Sequence, residues 1–374
     1  MRPSSALPRL LFMPLAVALL LAAFGCSQPE EESSASPTPA PSGDASTASS
    51  QADDEPVRMY FVPSMEHGKV MTSAEAIVEA LEERTGYTFE VEIPTSYIAV
   101  VEAMGAEPAR ADIAWLSTFA YVLAKDKYDA EIALQVGRYG QLEYRGMFVA
   151  RADSGIEELA GIDGRTVAYV DPASTSGHIY PSAMLEQEGI EPSETFMAGG
   201  HPQTMMAVYT GRADVGCAYW SPPTDDGEIM DARKDIMDQH PDAGEVLQIV
   251  AYTDWIPNDT VTFRPGFPDE KREKIVQALL EYMETPEGAR ALEELYNITE
   301  LVPVEDETYD SVREKLKALG MADEETLAAL IDDDEAPSED EEEEAAEDAP
   351  ATAEPATEEA TETAAEPSEE EPGE

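Results

Sequence analysis

The chain is short of cysteine and of basic residues, and both shortages exclude classes of protein. Its 374 residues include two cysteines, Cys26 and Cys217, too few for a disulfide scaffold or a cysteine-rich metal site. Lysine and arginine number 23 against 79 aspartates and glutamates, giving a formal net charge of −56. Nucleic acid is therefore not an expected partner, because its phosphates require basic side chains. No pair of histidines has zinc spacing, and we expect neither a metal nor another cofactor.

Long apolar runs are also missing, except near the start of the chain. Residues 10–24 are apolar, but this run is shorter than the roughly 20 residues of a membrane-spanning helix. Arg2 and Arg9 precede the run and Cys26 follows it, and this arrangement resembles a bacterial lipoprotein signal. We therefore expect residues 1–26 to direct export and Cys26 to carry a lipid anchor at the cell envelope, in the periplasm or outside the cytoplasmic membrane. An ordinary signal peptide or a short membrane anchor is the alternative.

Two segments are too polar to form a core. Residues 27–56 contain seven acidic residues and no basic one, and residues 331–374 contain twenty-one acidic residues and no basic one. Such compositions predict a disordered tether and a disordered, self-repelling tail. The middle, 57–330, has 51 acidic and 21 basic residues and so a net charge of −30.

The middle of the chain alternates between strand and helix patterns, which is typical of α/β units around mostly parallel sheets. Strands are predicted at 57–62, 88–93, 112–115, 166–170, 196–198 and 214–219. Helices are predicted at 72–84, 97–104, 119–125, 177–188, 203–211, 268–283 and 286–295. The sequence Ala111–Trp115 is echoed by Ala213–Cys217, which supports two similar lobes.

Two extended segments, Glu143–Arg151 and Leu247–Arg264, flank the second half of this pattern. They predict that the chain leaves the first lobe once and returns once. The expected division is 57–147 for the first part of lobe 1, 148–250 for lobe 2 and 251–330 for the return to lobe 1. Two lobes joined by two crossings form a cleft, which is a usual place for a ligand.

The strongest local signal is Asp171–Gly177, where three consecutive hydroxyl residues separate a strand from a helix. Free N–H groups and the positive end of the helix dipole favour an anion there. Plain capping is the alternative, but it needs only one hydroxyl. A second helix start, Gly199–Pro202, offers closely approaching backbone and His201, a possible hydrogen-bond donor that is equally compatible with a structural role.

These motifs, in their order along the chain, resemble the phosphate-, phosphite- and phosphonate-binding proteins of ABC importers. The matching blocks are Pro63-Ser64, Tyr97, Ala114–Ser117, Ala120–Ala124, Tyr144–Arg151, Asp153–Ile156, Asp171–Gly177, Gly199–His201 and Ala213–Val215. The resemblance covers roughly residues 57–300.

The resemblance implies a type II periplasmic-binding-protein fold, with two Rossmann-like α/β lobes joined by a two-crossing hinge, closing over a tetrahedral phosphorus oxyanion. It implies a monomeric binding protein that serves a membrane permease, and not an enzyme. Asp259 resembles an acidic position that holds a ligand amine. The ligand-binding residues expected from the resemblance are Ser174, Thr175, Ser176, His201, Tyr97, Asp259, Ser117, Ser64 and Tyr219.

Departures from the family pattern favour a small ligand. Leu116 stands where phosphonate binders have a tyrosine, and those proteins have a glutamate near the position of Ser221. The aminoalkyl end of a phosphonate would lack these polar partners, so phosphate, phosphite or a short alkylphosphonate is expected. A different small anion and a membrane-tethered sensor with the same fold are the alternatives. An enzyme using Cys217 is not favoured, because that cysteine lies in an apolar strand.

Overall fold

The apolar spacing of the first part of the chain produces alternating strands and helices. In the computed structural model, which describes residues 55–224 and 226–318, these are β1 (Val57–Phe61), α1 (His67–Thr85), β2 (Phe89–Glu92), α2 (Tyr97–Gly105), β3 (Ile113–Leu116), α3 (Thr118–Tyr128) and β4 (Glu131–Gly137). Helix α1 buries Val70, Ile77 and Leu81 on one face, as helical spacing requires. The predicted elements are confirmed, and β4 is additional.

The second part of the chain forms its own sheet. Its elements are β5 (Glu143–Arg151), β6 (Thr166–Tyr169), α4 (Tyr180–Glu188), β7 (Glu194–Met197), α5 (His201–Tyr209), β8 (Val215–Trp220), α6 (Ala243–Val246) and β9 (Leu247–Pro257). The strand order is β7-β6-β8-β5-β9. Strands β5 and β9 bury Met147, Phe148 and Leu247, which belong to small cores on the two faces of the sheet.

The chain then returns to the first sheet. The last elements are β10 (Thr260–Phe263), α7 (Asp269–Met283), α8 (Pro286–Tyr296), β11 (Glu300–Pro303) and α9 (Asp310–Ala318). The first sheet has the order β11-β4-β10-β3-β1-β2, and α7 and α8 pack on α1 as expected. The α/β fold with two sheets and two crossings is thus confirmed.

The sheets are mixed, whereas mostly parallel sheets were predicted. Strands β1, β2 and β3 run parallel, but the returning strands β10 and β11 pair antiparallel with their neighbours. In the second sheet, β5 pairs antiparallel with both β8 and β9. For β5 and β10 the prediction was wrong because each enters its sheet directly from a crossing, without the helical connection that parallel neighbours need.

The crossings are short. Residues 138–142 join β4 to β5, and residues 258–259 join β9 to β10. The expected lobe boundaries after residues 147 and 250 fall inside β5 and β9, which lie in the second sheet.

Some predictions cannot be compared with the structure. The export signal 1–26, Cys26, nearly all of the tether 27–56 and the acidic tail 331–374 lie outside the described residues. Within the described ranges, no helix is long and apolar enough to cross a membrane.

Candidate functional site

A small cavity lies between the two sheets, next to both crossings. About 50 Å³ of its interior is open to water, which is room for a few water molecules or a ligand of similar size. Its wall includes eight of the nine predicted ligand-binding residues: Ser64, Tyr97, Ser117, Ser174, Ser176, His201, Tyr219 and Asp259. Thr175 is not part of the wall.

The two serines reach the cavity from the loop that follows β6. Ser174 and Ser176 are 2% exposed and line the cavity, whereas the hydroxyl of Thr175 accepts a hydrogen bond from the Phe119 N–H at 2.8 Å. Consecutive side chains on a helical turn point in different directions, so three adjacent hydroxyls do not meet at one point. The Thr175 hydroxyl instead links the second sheet and its helices, here called the second layer, to α3 of the first sheet and its helices, the first layer.

The turn carrying these serines is wider than an α-helical turn. Ser174 caps it by accepting from the Gly177 N–H at 3.2 Å, and the Ile179 N–H donates to the Ser174 carbonyl at 3.0 Å. We predicted an ordinary helix from residue 177, but α4 begins after this turn. Pro181 has no N–H to donate back to Gly177. The Gly177 carbonyl accepts from the Val170 N–H at 3.2 Å instead, which ties the turn to the strand end.

His201 is the first residue of α5, two positions earlier than the predicted helix start. Its N–H donates to the Ser64 carbonyl at 3.0 Å, which links the two layers. Burial lowers the pKa of the imidazole to about 3, and the charge of Arg138 adds to this effect. The ring is therefore neutral near neutral pH, and its Nδ1 is buried without a hydrogen-bond partner in the described structure. It is free to bond a ligand.

The first layer contributes hydroxyl groups from the starts of two helices. Tyr97 begins α2, and its N–H donates to Asp171 Oδ2 at 3.1 Å. Burial raises the pKa of the Tyr97 phenol well above its usual range, and Asp171 and Asp259 add to the rise, so the phenol is a neutral donor. Ser117 caps α3 and donates to the Ala173 carbonyl at 3.1 Å.

An ion pair between the two crossings, which we did not predict, forms part of the wall. Arg138 Nη2 donates to Asp259 Oδ2 at 2.6 Å. Burial alone would lower the pKa of Arg138, but the charge and hydrogen bond of Asp259 outweigh this, and the guanidinium stays charged. A signal existed in the sequence: Arg138 is a basic residue at the end of an apolar strand in an acid-rich chain. The cavity's two formal charges therefore cancel.

Tyr219 also lines the cavity, and its hydroxyl contacts a second acidic group. Its ring meets the His201 ring edge-on at 4.9 Å, and its hydroxyl lies 3.0 Å from both carboxylate oxygens of Asp235. Burial raises the pKa of Asp235 to about 7, and the Tyr219 hydrogen bond opposes this rise. Trp220, in contrast, packs against Tyr252 away from the cavity.

Catalytic chemistry finds little support in this arrangement. Burial raises the pKa of the Cys217 thiol well above its usual range, which disfavours the reactive thiolate. His178 lies outside the cavity wall, and its Nδ1 is 2.8 Å from the Pro172 carbonyl. In the described part of the chain, no group of three or more histidine, cysteine or acidic residues could hold a metal ion. The wall is suited to binding through hydroxyl and ring N–H groups.

Comparisons with known proteins show the family to which the chain belongs. A family model described as ABC transporter, phosphonate, periplasmic substrate-binding protein matches residues 59–309. The phosphate-import protein PhnD of Mycolicibacterium smegmatis is 31% identical over 179 residues, 44% of this chain and 55% of that protein. The phosphonates-binding periplasmic protein of Escherichia coli is 23% identical over 226 residues, 58% of this chain and 63% of that protein. Both matches span less than two thirds of the relative's length.

The fold also matches a solved structure. The binding protein component of an ABC phosphonate transporter from Pseudomonas aeruginosa superposes with a TM-score of 0.63 at 21% identity, covering 79% of this chain and 100% of that one. Since the family model matches more than half of the sequence, the chain belongs to the family of periplasmic substrate-binding proteins of phosphonate ABC transporters.

Proposed function

We propose that this protein captures a small phosphorus oxyanion and delivers it to the permease of an ABC importer. The observation that carries the proposal is the convergence of neutral polar groups from both layers on one cavity. Ser174, Ser176 and His201 come from the second layer, and Tyr97 and Ser117 come from the first. Hydroxyl, ring and helix-start N–H groups bind anions without a surplus of basic side chains. The family is one of binding proteins and not of enzymes.

Capture depends on contacts that form between the two layers around the ligand. Hydrogen bonds already join them in this structure: Tyr97 N–H to Asp171 Oδ2, Ser117 Oγ to the Ala173 carbonyl, Phe119 N–H to Thr175 Oγ and His201 N–H to the Ser64 carbonyl. A bound anion would stabilise this arrangement by its greater affinity for the closed form. A permease can then distinguish loaded from empty protein by shape.

The size and lining of the cavity support phosphate, phosphite or a short alkylphosphonate. Leu116 contributes an apolar wall, and Asp259 already uses one oxygen for Arg138. With about 50 Å³ of open interior, the cavity leaves little room for an aminoalkyl chain beside the phosphorus group. The relative in Mycolicibacterium smegmatis is named a phosphate-import protein, which supports a small ligand.

The proposal extends to where the protein works. Export to the cell envelope, a lipid anchor at Cys26 and a monomeric state suit a binding protein that exchanges ligand with a membrane permease. Mass spectrometry of the mature N-terminus tests the anchor, because lipidation adds a defined mass to Cys26.

Calorimetric titration with phosphate, phosphite, methylphosphonate and 2-aminoethylphosphonate tests the ligand class. We expect binding of at least one of the first three and weaker binding of the amine. Absence of both heat and thermal stabilisation with all four anions would overturn the proposed function.

The Ser176→Ala substitution tests the position of the site. Losing one hydrogen bond to a charged ligand costs about 1.5–3 kcal/mol, so affinity should fall about 10- to 100-fold. Ser182→Ala is the matched control, because the Ser182 hydroxyl donates to the Ile179 carbonyl and does not line the cavity. Equal affinities of the two variants would place the anion elsewhere.

A further inference from the structure

A thin wall of side chains separates the small cavity from an open cleft beside it. The cleft has about 450 Å³ open to water, and Met65 lines both spaces. His201 and Tyr219 line the cavity, whereas Pro202, the next residue of α5, and Asp235 line the cleft. Because Tyr219 and Asp235 are hydrogen-bonded to each other, the Tyr219 side chain is part of the partition between the two spaces.

The hydroxyl of Tyr219 is already occupied. It lies 3.0 Å from both carboxylate oxygens of Asp235, to which it donates, and it accepts from Asn297 Nδ2 at 3.4 Å. A phenol has one hydrogen to donate. Since that hydrogen goes to Asp235, Tyr219 faces the cavity with its ring and not with a free donor.

The loop that follows β8 holds Asp235 against this ring. In that loop, the Ala232 N–H donates to the Tyr219 carbonyl at 3.2 Å. Arg233 Nη1 donates to the Leu247 carbonyl of β9 at 3.1 Å. Asp235 therefore approaches from a loop that is tied to both β8 and β9, which fixes its carboxyl group relative to Tyr219.

We propose that Asp235 is a positioning residue for selectivity: its hydrogen bond holds the Tyr219 ring as a partition that excludes phosphonates with large substituents. This inference rests on the proposed function and specifies the ligand size that the same site accepts. Without the bond, the side chain is free to adopt another χ1 rotamer. The cavity would then join the cleft, whose wall includes the apolar side chains of Met65, Met206 and Ile236.

The charge of Asp235 sets the strength of this hydrogen bond, because a phenol donates more strongly to a carboxylate than to a neutral carboxyl group. Burial raises the pKa of Asp235 to about 7, against the effect of the Tyr219 hydrogen bond. The bond is therefore strongest above pH 7 and weakens as Asp235 takes up a proton below it. The other charged groups around Asp235 are Lys69 of α1, Asp231 and Lys234 of its own loop, and Glu66 and Arg212 in the cleft wall.

Methylphosphonate and phenylphosphonate are matched probes for substituent size. They share the phosphonate group and its sequence of charge states, so the ratio of their affinities cancels changes that act on the anion itself. In calorimetric titration of the whole protein, phenylphosphonate should bind about 100-fold more weakly at about pH 8.5, because the cavity would be overpacked. This ratio should fall about tenfold by about pH 5.5, where the bond to Asp235 is no longer charge-assisted.

Asp235→Asn keeps an oxygen that accepts from Tyr219 but removes the charge. The affinity ratio of this variant should be about tenfold lower than that of the unsubstituted protein at about pH 8.5, and independent of pH. Asp238→Asn is the matched control, because Asp238 is an exposed acid of the same segment that does not line the cleft. It should keep both the ratio and its pH dependence.

Tyr219→Ala removes the partition itself, so this variant should bind phenylphosphonate at least as tightly as methylphosphonate. If the unsubstituted protein binds phosphate but neither phosphonate, Tyr219→Ala should newly bind both. Circular dichroism checks that the variant is folded. If it is not, the pH profile of Asp235→Asn decides.

Three results would overturn the inference and leave the proposed function standing. They are equal affinities of the unsubstituted protein for the two phosphonates at about pH 8.5, an unchanged ratio in folded Tyr219→Ala, and a ratio in Asp235→Asn that matches the unsubstituted protein at every pH. Absence of binding of phosphate, phosphite and both phosphonates would overturn the proposed function and the inference together.

Discussion

At the scale of single residues, His201 shows how burial sets the chemistry of the site. Its side chain lies against Tyr219 and near the charge of Arg138, and the residue is 7% exposed. A charged imidazole would be costly there, so the folded protein holds the neutral ring. A neutral ring can bond an anion without changing the cancelled charges of Arg138 and Asp259.

His201 also makes stability depend on pH. Its pKa is about 3 in the folded protein against an ordinary value of 6.5, so the unfolded chain binds the proton first as pH falls. With respect to this group, the free energy of unfolding is highest above pH 6.5. It falls by about 1.4 kcal/mol per pH unit as the pH drops from 6.5 towards 3.

Urea unfolding of the unsubstituted protein and of His201→Gln between these pH values measures this loss. The difference in free energy of unfolding should shrink towards acid, whereas the exposed His67→Gln control should differ little at any pH. A constant difference for His201→Gln would contradict a buried neutral ring.

At the scale of elements, the proposed anion site depends on how closely β5 approaches the serine-bearing turn. Gly146 of β5 lies under that turn, and a Cβ added there would be 2.8 Å from the Ser176 carbonyl oxygen and 2.8 Å from Thr253 Cγ2. The Gly146 N–H donates to Thr253 Oγ1 at 2.8 Å. A strand thus positions a cavity residue that is about thirty residues away in the chain.

The Gly146→Ala substitution should displace the turn. We expect a loss of about 1–3 kcal/mol in the free energy of unfolding, together with weaker anion binding, because backbone oxygen cannot move aside cheaply. Gly68→Ala is the control, since no atom lies within 4 Å of its added Cβ. Unchanged affinity in a folded Gly146→Ala protein would show that the turn tolerates displacement.

At the scale of the whole molecule, the charge opposes the capture of an anion. The chain has a net charge of −56, while the cavity's own formal charges cancel. Salt screens long-range repulsion beyond about 10 Å at 0.1 M and leaves the short contacts of the cavity largely unchanged. The proposed capture must then depend on local hydrogen bonds.

The association rate of phosphate should therefore rise with salt, about two- to tenfold between low and physiological ionic strength. Stopped-flow fluorescence can follow this rate, because Trp115 lines the cavity. The dissociation rate should change little. A rate that falls with salt would instead indicate local steering by Lys69 and Arg212, which line an open cleft that shares Met65 with the cavity.

Much of the site could be predicted because its residues lie in local motifs. Ser174 and Ser176 follow a strand, and His201 follows two glycines, so their places depended on short-range patterns. The orientation of the Thr175 hydroxyl could not be predicted, because its partner, the Phe119 N–H of α3, lies 56 residues away in the chain. Arg138 was missed because its partners, Asn258 and Asp259, are about 120 residues away in the chain.

The sequence by itself determined the alternation of strands and helices, the two crossings and the hydroxyl-rich helix start, because periodicity and capping act over a few residues. Only the tertiary structure decided that the sheets are mixed, that Arg138 cancels the charge of Asp259 and that Asp259 Oδ1 remains without a partner. These features depend on which distant segments meet at the crossings, and packing of the whole chain decides that.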